Sequence, residues 1–279
     1  MQFRQPIGGA RKVALGVYSY LEFGAVVLAS MPVMAASSIR HRGDPTQREP
    51  GRWMRRVGWL TSKLTPLWNF SVVGNPPADI HTTPYVVVAN HESTADPFLL
   101  SYLPWDMRWV AKEELFKIPV IGLCFRWSGD IPLRRGDGES VREMMTECHR
   151  ALNAGIPIMI FPEGTRSRTG ELLQFRDGAC RLAIEAQVPI LPLAVAGTRA
   201  CRPKGSKWFG EATAKVEVLA PISTKGMTAA DVEKLRDAAR DAIASALVGL
   251  RRRDVGEDVG EDVGEDVGKD VAPRSSALS

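Results

Sequence analysis

The chain is poor in the residues that mark disulfide-stabilised and cysteine-ligated zinc proteins. Its 279 residues include four cysteines, Cys124, Cys148, Cys180 and Cys201, and they are scattered without a CxxC pair. Four scattered cysteines without a CxxC pair argue against a disulfide framework and against a zinc ribbon, and they fit a reducing compartment. The segment at His91 begins like HExxH, but position 95 is alanine and the second zinc ligand is missing. No metal site is predicted.

Motifs for several other kinds of chemistry are also missing. The chain has no GxSxG nucleophile elbow, no P-loop and no GxGxxG. The tryptophan-rich stretch lies near the N-terminus and no RNA or DNA motif occurs, so nucleic-acid binding is not predicted. With no resident cofactor and no protein nucleophile predicted, His91 is the strongest candidate for chemistry.

Acidic residues are concentrated at the C-terminal end, which leaves the rest of the chain basic. The formal net charge is +4, but Asp254 to Val271 contains eight acidic residues and one lysine. This segment is therefore −7 and the rest of the chain +11. Such a balance favours anionic partners, including lipid headgroups and phosphate esters. The acidic segment repeats every four residues and is predicted to be a disordered tail.

A long apolar run extends from Val13 to Ser38, with Glu22 as its only charge. About 20 apolar residues suffice to span a hydrocarbon core. Three interpretations are open: a cleaved signal peptide, a spanning helix, and a helix that breaks at Pro32 and stays in one leaflet. Arginines after the run would keep that side of a spanning helix in the cytoplasm.

The stretch from Arg52 to Trp68 combines cations with tryptophans. It contains Arg52, Arg55, Arg56 and Lys63 interleaved with Trp53, Trp59, Leu60, Leu64 and Trp68. This composition is typical of the boundary between headgroups and acyl chains, and the alternative is an amphipathic helix packed on the main domain. Residues 1–72 are therefore predicted to form a membrane-anchoring helical region.

The middle of the chain alternates strand-like and helix-like segments. The predicted strands are Tyr85–Ala89, Arg108–Ala111, Ile156–Phe161, Ile190–Ala196 and Ala214–Leu219. The predicted helices run from Pro97 to Leu103, from Val141 to Ala154 after a Ser140–Glu143 capping box, from Gly178 to Ala186, and from Ala229 to Leu250. This alternation predicts an α/β fold with a mixed, largely parallel sheet flanked by helices. The catalytic domain is predicted at 73–225, a C-terminal helix at 226–253 and the tail at 254–279.

The stretch from Asn90 to Leu100 places His91 five residues before Asp96, directly after a predicted strand. Functional side chains of open α/β sheets collect at the carboxyl ends of strands. A carboxylate beside an imidazole can fix its tautomer and stabilise the imidazolium that forms on proton pickup. The structural alternative is that Asp96 only caps a helix beginning at Pro97. This stretch alone leaves both interpretations open.

A second informative segment runs from Phe161 to Ala179. It leaves a strand through Pro-Glu-Gly and presents Arg166, Arg168 and Arg176. Guanidinium groups suit phosphate because they donate two parallel hydrogen bonds. Taken by itself, the segment would be interpreted as a solvated basic loop.

Four blocks occur in a fixed order between Tyr85 and Pro192. They are NHxxxxD from Asn90 to Asp96, GDIPLRR with Gly129 and Arg135, FPEGTRS from Phe161 to Ser167, and VPILP from Val188 to Pro192. In this order and spacing the chain resembles the glycerolipid acyltransferases, specifically the 1-acylglycerol-3-phosphate O-acyltransferases. One departure is Pro132-Leu133-Arg134, where the family usually has a bulkier apolar residue and often an acid.

The resemblance implies a role for each matched residue. His91 would be the general base that takes the proton of the acceptor hydroxyl, and Asp96 would orient it. The acceptor site would consist of Asn90, Arg135, Glu163, Gly164, Thr165 and Arg166, with Arg135 on the phosphate. The acyl-donor region would include Val188, Pro189 and Pro192.

The resemblance also implies substrates, partners and location. An acyl thioester, carried by coenzyme A or acyl carrier protein, would be the co-substrate, and lysophosphatidic acid in an anionic bilayer would be the acceptor. An uncleaved anchor would hold the catalytic domain on the cytoplasmic face of the inner membrane. Two alternatives stay open: another acceptor, such as a lyso-ornithine lipid or another lysophospholipid, and a non-catalytic lipid-binding protein on the same fold.

Overall fold

The computed structural model of the chain describes residues 9–44, 46–167, 169–202 and 208–255. Arg168 and most of the predicted acidic tail, residues 256–279, lie outside the described residues.

Within this part of the chain, seven strands form one sheet. They are β1 (Trp68–Val73), β2 (Val86–Ala89), β3 (Arg108–Lys112), β4 (Ile131–Leu133), β5 (Ile158–Ile160), β6 (Ile190–Ala196) and β7 (Ala212–Val218). The strand order is β1-β7-β6-β2-β5-β3-β4, and neighbours are parallel except β6 and β7. Because β1 pairs parallel with β7, these two strands run opposite to the other five. The predicted α/β fold with a mixed, largely parallel sheet is confirmed.

Helices cover both faces of the sheet. They are α1 (Gly9–Arg40), α2 (Arg48–Leu64), α3 (Asp96–Leu100), α4 (Ile121–Trp127), α5 (Gly138–Asn153), α6 (Gly178–Ala186) and α7 (Val232–Val255). Val86 and Val88 face the core beneath α5, α6 and α7, whereas Val87 and Ala89 face the core that includes α3. Successive side chains of a strand point to opposite faces, and here both faces are buried. This explains why β2 is an unbroken apolar run.

The two strands that the sequence did not predict are both edge strands. β4 contains Pro132, which an edge strand tolerates because one of its sides needs no N–H donor. β1 contains Trp68, which had been interpreted as part of an interfacial segment. The predicted boundary between residues 72 and 73 falls inside β1. The predicted boundary at 225 precedes α7, whose Leu235 and Ile243 pack in the same core as Val86.

Helix α1 is continuous through Pro32, which contradicts the one of the three interpretations in which the helix breaks at that residue. Among the described residues it is the one helix long and apolar enough to cross a membrane, over Val13–Arg40, and 28% of its apolar window is buried. This low burial distinguishes it from the core helix of a soluble domain. Glu22 turns inward and accepts a hydrogen bond from Thr65 Oγ1 at 2.9 Å. Met34 is fully buried against α2 and α4, so the segment is part of the fold.

Two arginines of α2 that were predicted to be interfacial form ion pairs with the catalytic domain. Arg55 forms a buried ion pair with Asp130 at 2.9 Å, and Arg52 pairs with Asp106 at 2.8 Å. The exposed face of α2 carries the remaining cations and apolar groups, Arg56, Trp59, Leu60, Lys63 and Leu64. Their spacing of three and four residues makes one stripe along the helix. The exposed surface of α2 that combines cations with apolar side chains therefore contains fewer residues than predicted.

The predicted capping box at Ser140 and Glu143 is wrong. Helix α5 begins at Gly138, and the carboxylate of Asp137 accepts the N–H groups of Glu139 and Ser140 at 3.0 and 3.1 Å. The aspartate satisfies these free donors one turn earlier than the serine would. The Ser140 hydroxyl instead accepts the N–H of Arg134.

Candidate active site

Three loops meet at the carboxyl ends of neighbouring strands. The loop at 90–95 follows β2, the loop at 161–167 follows β5, and the 3₁₀ turn Thr198–Cys201 follows β6. Because β5 and β6 flank β2 and all three strands are parallel, their following loops converge on one edge of the sheet. His91 lies at the centre of this arrangement.

The His91 and Asp96 side chains are in direct contact. His91 Nδ1 lies 2.6 Å from Asp96 Oδ2, and Asp96 is fully buried. A carboxylate only accepts hydrogen bonds, so Nδ1 carries the proton of the neutral imidazole. The Nε2 lone pair is then available to accept a proton, and no group in the described part of the chain contacts it within hydrogen-bond distance.

Asp96 does not cap helix α3 with its side chain. The N-cap position belongs to Ala95, and Asp96 is the first helical residue. Its Oδ2 accepts the N–H groups of Glu92 and Ser93 at 2.9 and 3.1 Å, and its Oδ1 accepts the hydroxyl of Thr198. The carboxylate therefore points back into the histidine loop. Of the two interpretations of Asp96, the geometry matches the pairing with His91.

The FPEGTRS loop holds His91 from three sides. Glu163 Oε1 accepts the His91 N–H at 2.7 Å, and the Ser167 N–H donates to the His91 carbonyl at 2.8 Å. The Phe161 ring stacks on the imidazole with centroids 4.1 Å apart. Burial raises the pKa of Glu163, whereas the hydrogen bonds from the N–H groups of His91 and Leu173 lower it.

Two of the residues predicted to bind substrate instead form hydrogen bonds within the protein. The Asn90 amide exchanges two hydrogen bonds of 2.8 Å with the backbone of Val195, which fastens the end of β2 to β6. Glu163 uses its second oxygen on the Leu173 N–H at 3.2 Å. Gly164 has φ +68°, and a Cβ there would lie 2.8 Å from Arg176 Nε. These three residues shape the loops.

A basic cleft of about 930 Å³ opens beside this site, and we call it the arginine cleft. Its lining includes the predicted Thr165 and Arg166 together with Glu92, Arg199, Arg202 and Arg251. Glu92 is buried, and burial followed by the nearby Asp96 raises its pKa to about 7, against the opposing effect of Arg251. The cleft can thus attract an anion through several guanidinium groups.

The remaining predicted residues belong to the segments around β4 and β6. Arg135 is exposed after β4, three strands from β2, which corresponds to about 14 Å across the sheet. Val188 and Pro189 precede β6 and so lie at the opposite edge of the sheet from His91, about 20 Å away along the strand. Pro192 is buried within β6 opposite Val88. VPILP is the core strand itself, so the structure keeps Val188, Pro189 and Pro192 out of the cluster around His91. Arg135 follows β4 at the same edge of the sheet as His91, because β2, β5, β3 and β4 are parallel.

Four residues around Asp96 and in the cleft, Thr198, Arg199, Glu92 and Arg251, were not predicted from the sequence. Thr198 and Arg199 directly follow β6, so the rule that functional groups collect at strand ends could have found them. Glu92 lies within the first block and was passed over. Arg251 comes from α7 and has no signal in the local sequence, since only tertiary packing carries it to the cleft.

A smaller, mainly apolar cavity of about 180 Å³ lies on the other side of the histidine loop. Thr94 and Ala95 line it together with Phe23 of α1, Thr65 after α2 and Phe98 of α3. Arg202 lines both this cavity and the arginine cleft. No cluster of three metal-ligating side chains occurs within the described ranges, and all four cysteines are buried as free thiols.

Comparison with known proteins identifies consistent relatives. The model of the family described as Acyltransferase matches residues 72–196. Human 1-acyl-sn-glycerol-3-phosphate acyltransferase beta is 30% identical over 244 residues, covering 86% of this chain and 84% of the human protein. A 1-acyl-sn-glycerol-3-phosphate acyltransferase of Chlamydomonas reinhardtii is 31% identical, covering 68% of this chain but 56% of its own length. The chain thus spans little more than half of this algal relative.

A solved structure shares most of the fold. The crystal structure of the 1-acyl-sn-glycerophosphate (LPA) acyltransferase PlsC from Thermotoga maritima superposes with a TM-score of 0.70 at 25% identity. The alignment covers 87% of this chain and 97% of the Thermotoga chain. The similarity therefore extends beyond the segment that the family model matches.

Proposed function

The chain belongs to the 1-acyl-sn-glycerol-3-phosphate acyltransferase family, and on that premise we propose that it forms phosphatidic acid. An acyl chain passes from a thioester to the free sn-2 hydroxyl of 1-acylglycerol 3-phosphate. The observation that carries the proposal is the His91–Asp96 pair, which leaves Nε2 as a free acceptor beside a basic cleft and an apolar cavity. A lysolipid with a phosphate headgroup needs both kinds of surface.

The proposed mechanism needs one base and no covalent enzyme intermediate. His91 Nε2 takes the proton of the acceptor hydroxyl as its oxygen attacks the thioester carbonyl carbon. The tetrahedral intermediate collapses, the C–S bond breaks, and the thiolate recovers the proton from the imidazolium. Asp96 stabilises that imidazolium through Nδ1–H. The products are phosphatidic acid and a free thiol, so protons and electrons balance.

The surrounding residues divide into those that position His91 and those that face a ligand. Asn90, Glu163 and Thr198 hold the loops or the carboxylate, so we assign them to positioning. Arg166 lies in the cleft without a hydrogen bond or ion pair in the described part of the chain, and we assign it to the acceptor phosphate. Thr165 and Gly164 complete the same loop.

The proposal predicts that the purified full-length protein forms phosphatidic acid from lysophosphatidic acid and acyl-CoA or acyl carrier protein thioester. Replacing His91 with Ala should lower kcat by about 10²–10⁴-fold, the range typical of a general base. The expected readouts are phosphatidic acid and released thiol in equal amounts. Equal activity in wild type and His91→Ala would exclude the base assignment.

The same assay addresses the open alternatives. Preference for lyso-ornithine lipid or another lysophospholipid would keep the reaction and change the acceptor. Absence of turnover with every acceptor and both donors, combined with retained vesicle binding, would indicate the non-catalytic lipid-binding protein. The donor that gives the higher kcat/KM identifies the carrier.

We also propose that the protein resides at the inner membrane with its catalytic domain on the cytoplasmic face. Membrane association is supported by α1 and by the exposed stripe of α2 with Trp59, Leu60 and Leu64. The native cysteines are buried, so a single exposed cysteine from Ser223→Cys can report the side. A membrane-impermeant maleimide should label it in inside-out vesicles. Labelling only in right-side-out vesicles would contradict this orientation.

A further inference from the structure

The arginine cleft contains more positive charge than the family motifs supply. Four arginines line it, Arg166, Arg199, Arg202 and Arg251, against the two carboxylates of Glu92 and Glu171. The segment matched by the family model ends at residue 196. Three of the four arginines therefore lie beyond the matched segment, and one of them comes from α7.

Internal contacts hold two of these arginines at the wall of the cleft. Arg251 donates to the carbonyl of Gly170 and lies 3.4 Å from Glu92 Oε1. Arg199 donates to the carbonyl of Thr169. The two backbone contacts connect residues 169–170 to α7 and to the turn after β6, and the Glu92 contact connects α7 to the histidine loop. The guanidinium groups are thus held in place before a ligand arrives, which lowers the entropy cost of binding.

The volume and the neighbours of the cleft indicate the kind of ligand. About 930 Å³ is within the range of sites for small organic ligands and exceeds the need of a simple ion. Arg202 also lines the apolar cavity behind Thr94 and Ala95. A ligand with a phosphate at one end and an acyl chain at the other would meet both surfaces next to the histidine loop.

We propose that Arg199 and Arg251 extend the cleft into a binding site for a phosphate group of a substrate and set the affinity for it. This inference rests on the proposed acyl transfer. The phosphate has two possible sources: the monoester of the lysolipid acceptor, and the phosphates of the donor, since coenzyme A and the carrier's phosphopantetheine both contain one. Both sources share the dianionic or diester oxygens that guanidinium groups bind.

The test compares Arg199→Gln and Arg251→Gln with wild type in full-length protein, with KM and kcat measured separately for acceptor and donor. Roughly a tenfold rise in KM is expected for the substrate whose phosphate enters the cleft, with kcat changed less than twofold, because a charge-assisted hydrogen bond is lost. A rise for the acceptor assigns the cleft to the lysolipid headgroup, and a rise for the donor assigns it to the carrier. An unchanged KM for both overturns the proposal.

Two control variants keep the result interpretable. Arg142→Gln removes an exposed arginine of α5 outside the cleft and should leave both KM values unchanged. Arg251→Lys keeps the positive charge but loses the bidentate hydrogen bonding of the guanidinium, and it should give an intermediate KM. If a glutamine variant does not fold, this lysine variant carries the test.

A measurement without turnover separates this inference from the proposed function. Inorganic pyrophosphate should raise the Tm of the wild type and of Arg142→Gln, and raise it less in Arg251→Lys, because binding to the native state stabilises it. This outcome without lysolipid turnover would uphold the phosphate site and reject the acyl-transfer assignment. Equal shifts in all three proteins would overturn the phosphate site.

Discussion

At the residue scale, the site is organised around one carboxylate. Asp96 accepts hydrogen bonds from the His91 ring, two backbone N–H groups and the Thr198 hydroxyl. A fully buried carboxylate requires such a shell, because an unpaired charge in the interior costs several kcal/mol. The same bonds fix the orientation of the carboxylate, and through it the orientation of the imidazole. The hydrogen bonds that compensate for the burial of Asp96 are therefore the same ones that position His91.

Thr198→Val should weaken catalysis without weakening binding. The valine matches the shape of threonine but leaves Asp96 Oδ1 without its hydroxyl donor. A hydrogen bond to a charged group is worth about 1.5–3 kcal/mol, so kcat should fall roughly tenfold while KM stays near its wild-type value. Steady-state kinetics and the pH profile of kcat provide the check. Thr198→Ser keeps the hydroxyl and should restore most of the activity, and its failure to do so would rule out this role.

Glu92→Gln should change how stability depends on pH. The pKa of Glu92 is raised to about 7 in the folded protein, mainly by burial, from an ordinary value of 4.5. The native state therefore binds more protons than the unfolded state, and the contribution of Glu92 to stability falls as the pH rises from about 4.5 through 7. The uncharged glutamine removes this loss. Relative to wild type, the free energy of unfolding of the variant should increase by about 2 kcal/mol between pH 5 and pH 8.

Denaturant unfolding of both proteins at pH 5, 6.5 and 8 measures this difference. A constant gap between variant and wild type across the three pH values would contradict the raised pKa of Glu92. The charge interaction with Arg251 lowers the pKa of Glu92 and is already included in the net shift to about 7, so it adds no separate trend with pH.

At the element scale, the turns after the strands decide where functional groups lie. Gly197 follows β6 with φ +92°, and a Cβ there would lie 2.2 Å from the carbonyl oxygen of Thr213. Only glycine permits both this backbone conformation and this approach to β7. The turn delivers Thr198 to Asp96 one residue later. The geometry of the active site therefore depends on a residue without a side chain.

Gly197→Ala should destabilise the protein more than Gly226→Ala does. Gly226 also has a positive φ, +77°, but a Cβ there would meet nothing within 4 Å. The second variant therefore reports the conformational cost alone, about 1 kcal/mol. Gly197→Ala adds a clash with backbone and should cost several kcal/mol and most of the activity. Denaturant unfolding checks the ranking, and equal destabilisation would show that the close approach to Thr213 is unimportant.

The sequence predicted the central elements better than the peripheral ones. The bounds of β6 and α6 match the predicted Ile190–Ala196 and Gly178–Ala186, because both are buried apolar segments with clear ends. β1 and β4 were missed because each edge strand is only partly buried, so its apolar pattern is weak. The start of α5 was misplaced because several residues could serve as its cap.

At the scale of the whole molecule, the N-terminal helices pack against the catalytic domain. Arg55 of α2 reaches Asp130, which also accepts the Trp109 N–H and the Ser128 hydroxyl. Tyr20 and Phe23 of α1 and Thr61 of α2 also line the cavity behind Thr94 and Ala95. The proposed membrane anchor thus forms part of the wall on which a lipid chain would lie.

Arg55→Gln should therefore weaken the whole fold. It removes the hydrogen-bonded counter-charge of buried Asp130 and leaves only the electrostatic attraction of Arg108, and breaking a buried pair typically costs about 3–5 kcal/mol. The neighbouring Arg56→Gln is the matched control, since Arg56 is exposed and stacks on Trp53. It should change stability by less than about 1 kcal/mol. Tm values in the same detergent compare the two, and similar Tm values would show that the link between α2 and the sheet is weak.

The sequence by itself determined the fold class, through apolar periodicity, and the resemblance to the family, through four motifs in order, and it named His91 and Asp96 as a candidate pair. Only the tertiary structure decided which predicted residues meet. It brought Thr198 and Arg251 to the site from the turn after β6 and from α7, and it placed Val188 and Pro189 away from it. The physical reason is that sheet order and helix packing set distances between remote segments, and no local pattern encodes them.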